Sequence, residues 1–172
     1  SVMMGYVNAP ELTAQAITED GWLRTGDIGY EDEEGFLHIT GRLKNLIILS
    51  NGVNVSPEQI EKLLLDHQIV KETLVYGEGN SIVAEIFPDS VYVKQYGITD
   101  IKAAIARVVE QVNTELPSHK KVMKHLIRVN PMQTTSSGKI VRSQRAGKDD
   151  VLPDDTQPLR LPESPVQQKL WD

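Results

Sequence analysis

Residues 44–87, KNLIILSNGVNVSPEQIEKLLLDHQIVKETLVYGEGNSIVAEIF, decide the fold. NLIIL, residues 45–49, is an apolar run with the length of a short buried strand. From Ser56 the pattern changes to a helix. Ser56 stands at the cap position, Pro57 at the first helical position, and Gln59 completes a capping-box pattern. Ile60, Leu63 and Leu64 then share one apolar face. Residues 70–87 predict two further strands around a turn at Glu78–Asn80.

Working outward, TDIKAAIARVVEQVNTEL (99–116) places Ile101, Ile105, Val108, Val112 and Leu116 at helical spacing, the mark of an amphipathic helix packed on a sheet. KHLIRV (124–129) adds another strand. The expectation is a small α+β domain, a short mixed sheet flanked by helices, with the apolar stripes as its core. Upstream, IGYEDEEGFLHITGR (28–42) reads as a hairpin, with strands at 28–31 and 36–40 around Asp32–Gly35. A lone hairpin is marginal in water, so it is expected to lean on a neighbour. GYVNAPELT (5–13) and DGWLRTGD (20–27) have few apolar residues and read as loops. Beyond Arg145 the chain turns rich in Pro and Asp without periodicity, as in a linker or loosely docked tail, and SPVQQKLWD (164–172) reads as the opening turn of a helix. The expected division is 1–43 as the end of a larger domain, 44–145 as the small domain, and 146–172 as linker or tail.

Composition narrows the function classes. A chain of 172 residues has room for one ordinary domain with flanking pieces, and 40% hydrophobic with 24% charged content argues against disorder and fibres. No apolar run approaches the roughly 20 residues of a membrane span. The start SVMMGYVNAP lacks the order of a secretory signal and an initiator Met, so a cytoplasmic piece of a longer protein is expected. Zero Cys excludes thiolate metal sites, and His38, His67, His119 and His125 show no close ligand spacing, so no metal site is expected. Eighteen basic against 24 acidic residues, net −6, does not favour nucleic acid. Basic residues do concentrate between Lys120 and Arg145, a pattern that suits either a phosphate-bearing ligand or a solvated face.

Three short stretches could carry chemistry. WLRTGD (22–27) with GRLK (41–44) offers a carboxylate that can accept both hydroxyls of a ribose and an Arg that can donate to phosphate, although an Asp ending a loop also makes ordinary Asx turns. SNGVNVSPEQIE (50–61) puts Gly52 where another chain or ligand can approach, or simply in a turn. TTSSGKIVR (134–142) sets Lys139 on a Ser/Thr/Gly loop, where a mobile ammonium can reach phosphate and carboxylate oxygens or merely decorate the surface. It is not a P-loop, since Gln133 replaces the first Gly and Ile140 follows the Lys.

Taken together, the three stretches resemble, in order and spacing, the adenylate-forming (AMP-binding) superfamily of acyl-CoA synthetases, peptide-synthetase adenylation domains and beetle luciferases. The resemblance spans roughly residues 3–142. It implies that Asp27 binds the ribose hydroxyls, Arg42 contacts ribose or phosphates, and Lys44 is the hinge about which the small domain turns. It implies further that Gly52 lines the pantetheine channel and that Lys139 is the catalytic lysine, bridging the acyl carboxylate and the α-phosphate. The implied cofactors are ATP, CoA or a carrier-protein phosphopantetheine, and Mg²⁺ held by a large amino-terminal domain outside this chain. The implied partners are a carboxylic acid, fatty or aromatic, ATP and CoA, with an acyl carrier domain as a variant acceptor. Two positions depart from the pattern: Asn54 stands where many relatives carry a basic residue, and Gln133 where the lysine loop usually has Pro. A non-catalytic binding or regulatory module is the competing reading, and the joint retention of Asp27, Arg42, Lys44 and Lys139 speaks against it.

Overall fold

The computed structural model describes residues 2–50 and 52–152. In chain order the elements are α1 (Pro10–Ala16), β1 (Asp27–Glu31), β2 (Leu37–Arg42), β3 (Ile47–Ile48), β4 (Asn54–Val55), α2 (Pro57–Leu65), β5 (Val70–Glu78), β6 (Ser81–Pro88), α3 (Ser90–Gln95), α4 (Ile101–Glu115) and β7 (Val122–Ile127). β5 and β6 form the expected hairpin, with Val75 opposite Ala84 and Glu78 opposite Ser81. β7 joins β6 in parallel, giving the order β5-β6-β7. A parallel partner needs a crossover connection, which α3 and α4 supply. The result is the α+β architecture that the periodicities predict.

β6 is the central strand, and it is buried on both faces. Ile82, Ala84 and Ile86 join Ile60 and Leu64 of α2 and Ile105, Val108, Val109 and Val112 of α4 in one apolar core. The alternate positions, Val83 and Glu85, are fully buried too. Glu85 pairs with Arg128 at 2.7 Å and accepts from the Ala146 N–H at 3.1 Å. Residues 146–152, which composition assigns to the start of a linker, are therefore docked: Val151 bridges to Arg128, and Leu152 packs against the core. The expected helix start at 164–172 lies outside the described residues.

Several local expectations are corrected. GYVNAPELT does not stay a loop, since Pro10 opens α1 and Thr13 Oγ1 accepts the Tyr6 N–H at 2.9 Å. No residue of α1 is buried, so it lacks the apolar stripe that betrays a helix in sequence. NLIIL yields only the two-residue β3 paired to β4, with Ile47 and Leu49 buried but Ile48 exposed. α3, which carries no buried residue, was unpredicted, and Asp89 caps it by accepting the N–H groups of Val91 and Tyr92. Ser56 does not cap α2. Its hydroxyl lies 2.8 Å from the Thr40 carbonyl of β2, a group that needs a partner, and 2.9 Å from the Glu58 carboxylate.

Candidate functional site

β1 and β2 pair so that Asp27 lies opposite Arg42 at the open end of their hairpin, and Arg42 Nε donates to Asp27 Oδ1 at 2.9 Å. The pair remains accessible and lines a cleft of about 610 Å³ shared with Tyr30, His38, Glu58 and Lys62. One anion and one cation held side by side at a cleft suit a ligand with both hydroxyl donors and phosphate acceptors. At the other end of the hairpin, Asp32 accepts from His38 at 2.5 Å and from the Glu34 and Phe36 N–H groups. The His38 contact and those N–H groups hold the Asp32 carboxyl below its ordinary value.

Lys44 sits in a single 3₁₀ turn, Leu43–Asn45, which with Leu46 is all that separates β2 from β3. Its side chain is exposed and lines a second cleft with Arg142, Ser143 and Arg145. Gly52 follows a turn closed by its N–H to the Leu49 carbonyl at 2.8 Å. Its φ of +78° calls for glycine, while the space where a Cβ would stand is open.

Lys139 follows the tip of a tight hairpin. Thr134 bridges Ile140, the Gly138 N–H donates to the Thr135 carbonyl, and Gly138 adopts φ +78°. A turn followed by a left-handed glycine is a common three-residue hairpin loop, so SSGK is read by the backbone rather than by burial. Gln133 does not break this loop: its carbonyl accepts the Val141 N–H at 2.8 Å. Lys139 itself is exposed, and Asn54 is an exposed member of β4.

What sequence reasoning missed is the brace behind the lysine. Arg142, three residues on, donates to Glu61 Oε2 at 2.5 Å and approaches Glu58 at 3.6 Å, both on α2. Burial pushes the Glu61 carboxyl above its ordinary value, and Arg142 and the Val75 N–H oppose that shift. Further along, the Arg145 guanidinium lies 3.8 Å from the centre of the Tyr76 ring. The Arg within TTSSGKIVR and the two carboxylates of PEQIE were legible as charges, but nothing in their spacing joins them. The structure thus pairs Asp27 with Arg42, and sets Lys44 beside the segment that follows Lys139. Lys139 and Gly52 line neither of these two clefts. Among the described residues no group of three or more His, Asp or Glu could hold a metal ion. No helix among them is long and apolar enough to cross a membrane.

The family model of the AMP-binding enzyme C-terminal domain matches residues 44–148, and the chain belongs to this family of adenylate-forming enzymes. It is 35% identical over 143 residues to 4-coumarate--CoA ligase-like 6 of Arabidopsis thaliana, covering 83% of this chain and 24% of that protein. Luciferin 4-monooxygenase of Luciola mingrelica is 37% identical over 140 residues, covering 81% and 25%. Among solved structures, the O-succinylbenzoate coenzyme A synthetase of Bacillus subtilis in complex with AMP superposes with a TM-score of 0.71 at 26% identity, covering 88% of this chain and 29% of that one. The chain thus spans about a quarter of the length of the curated relatives named here.

Proposed function

We propose that the chain is the carboxy-terminal part of an ATP-dependent ligase that adenylates a fatty or aromatic carboxylic acid and transfers the acyl group to CoA. One observation carries the reading: an accessible Asp–Arg pair and a Lys on an exposed hairpin stand, in chain order, on opposite sides of a single-turn connector. In the first half-reaction a carboxylate oxygen attacks the α-phosphorus of ATP, and pyrophosphate leaves. In the second a thiol sulfur attacks the acyl carbonyl, loses its proton, and AMP leaves. Asp27 and Arg42 hold the ribose and its phosphate. Lys139 neutralises charge developing between carboxylate and phosphate, which is electrostatic rather than covalent assistance.

Lys44 is the pivot between the two half-reactions, and Gly52 borders the path of the pantetheine thiol. Residues 1–43 end the large amino-terminal domain, 44–145 form the lid, and 146–172 lead out of it, the first seven of them docked on the lid. Mg²⁺ belongs to the amino-terminal domain, and the enzyme works in the cytoplasm. Relatives named as a long-chain-fatty-acid CoA ligase and a 4-coumarate CoA ligase support the choice of acids. A carrier protein is the second candidate acceptor, favoured by the likeness to the A-PCP didomain of a carboxylic acid reductase from Segniliparus rugosus, with TM-score 0.70 and 26% identity.

The test is pyrophosphate exchange by the full-length protein with a panel of carboxylic acids, comparing wild type with Lys139→Ala. Exchange that falls by about 10²–10³ or more in the variant is the expected result. Exchange that survives the substitution would remove Lys139 from the adenylation step, and no exchange with any acid in folded protein would leave the binding-module reading standing instead.

A further inference from the structure

The serine that should cap α2 has another use. Thr40 belongs to β2, before the 43–45 turn, and Ser56 and Glu58 stand after it. The Ser56 hydroxyl contact with the Thr40 carbonyl therefore crosses the connector. Gly41 is what permits it: β2 runs so near α2 that a Cβ there would collide with Ser56 Oγ and Glu58 Oε2. Glu58 also accepts from Asn45 Nδ2 at 2.5 Å, inside the connector, and lies 3.6 Å from Arg142 behind the lysine hairpin. One turn of helix thus touches the hairpin, the connector and the limb that carries Lys139.

We propose that Ser56 and Glu58 form a latch across the connector that stabilises one of the arrangements between which the enzyme alternates. The latch itself rests on these contacts; its kinetic consequence rests on the ligase reading above. Proton counting sharpens it. The Ser56 hydroxyl has one proton and two acceptors, the Thr40 carbonyl at 2.8 Å and the Glu58 carboxylate at 2.9 Å, so an ionised Glu58 competes with the cross-connector bond. An amide at position 58 would donate to Ser56 Oγ, free the hydroxyl proton for Thr40, and still accept from Asn45. Glu58→Gln should therefore keep or tighten the latch, whereas Ser56→Ala and Gly41→Ala should open it. Ser56 and Glu58 are positioning residues and touch no reacting atom.

The chain contains no Cys, so Glu33→Cys on the hairpin and Glu110→Cys on α4 give a unique pair of spin-label sites. Pulsed dipolar spectroscopy on the full chain should give a narrow distance distribution, equally narrow with Glu58→Gln, and broadened or shifted with Ser56→Ala and with Gly41→Ala. A distribution unchanged by Ser56→Ala, or broadened alike by Glu58→Gln, overturns the latch. In the full-length protein, Ser56→Ala should change the ratio of pyrophosphate exchange to thioester formation by about threefold to tenfold, the worth of one hydrogen bond, and Glu58→Gln should not move that ratio the same way. A merely structural loss lowers both half-reactions together, and an unchanged ratio overturns the link to the alternation. Absence of exchange from the wild type would refute the ligase reading while the distance measurement still decides the latch.

Discussion

Replacing Glu85 by Leu should be among the most damaging single changes in the small domain. Glu85 is 0% exposed and Arg128 8%, so removing the carboxylate strands a guanidinium in the interior. Breaking a buried ion pair from one side costs about 3–5 kcal/mol. That is a large part of the roughly 5–15 kcal/mol by which domains are stable. For a unit near 100 residues it lowers the melting temperature by about 12–25 °C. Arg128→Met should cost a similar amount. The double variant should recover most of the loss, because a buried pair exchanged for apolar groups of similar size is often neutral. It should retain about 1–3 kcal/mol of damage from the Ala146 N–H, which loses both carboxylate oxygens. Urea melts of the four proteins at pH 7 complete the cycle. If Glu85→Leu costs under about 1 kcal/mol, or the double variant costs the sum of the singles, the two groups do not act as a pair and the reasoning fails.

Three further outcomes follow from the same geometry. Asp27→Ala should alter stability by less than about 1 kcal/mol, because the pair with Arg42 is accessible; on the ligase reading it should raise the KM for ATP, and an unchanged KM would remove Asp27 from the site. Burial, then the neighbouring Glu85 carboxylate, pushes the Tyr76 phenol up to about 12. A raised value means the fold prefers the neutral phenol: that stabilisation is complete below pH 10 and is lost as pH rises through about 12. In a titration at 295 nm, Tyr76→Phe should remove a late-ionising phenol, and its loss from the part of the curve near pH 10 would contradict the burial argument. Gly138→Ala should cost about 1 kcal/mol through its left-handed φ, with Gly138→Asn milder, since no atom lies within 4 Å of the added Cβ; equal costs in urea melts would point to crowding instead.

The architecture was largely legible because its signals are local. Pro57 with the Ile60, Leu63 and Leu64 stripe gives α2, the run from Ile101 to Leu116 gives α4, and the turn at Gly79 gives the β5-β6 hairpin. KHLIRV gave the last strand two residues late, at 124–129 against the observed Val122–Ile127. The misses share a cause. α1 has no buried residue and α3 only half-buries Tyr92 and Val93 against the core, so neither leaves a long periodic stripe, and Ser56 is a fair capping residue whose hydroxyl finds a competing acceptor on another strand.

The candidate site divides in the same way. Asp27, Arg42, Gly52 and Lys139 stand in three short motifs, and their roles, with that of Lys44, come from the resemblance of those motifs to the family; for Gly52 and Gly138 the positive φ supplies a local reason for the glycine. What the sequence by itself determined is therefore the elements that pack on the core, α2, α4 and the strands of the three-stranded sheet, because helix stripes and turns depend on residues a few positions apart. Only the tertiary structure decided that Glu85 faces Arg128 across 43 residues, that Arg142 is braced by Glu61 across 81, and that Ser56 reaches back to Thr40 across 16. Those pairings are set by how α2 and the connector settle against the sheet, and a lone carboxylate, guanidinium or hydroxyl in a sequence does not name its partner.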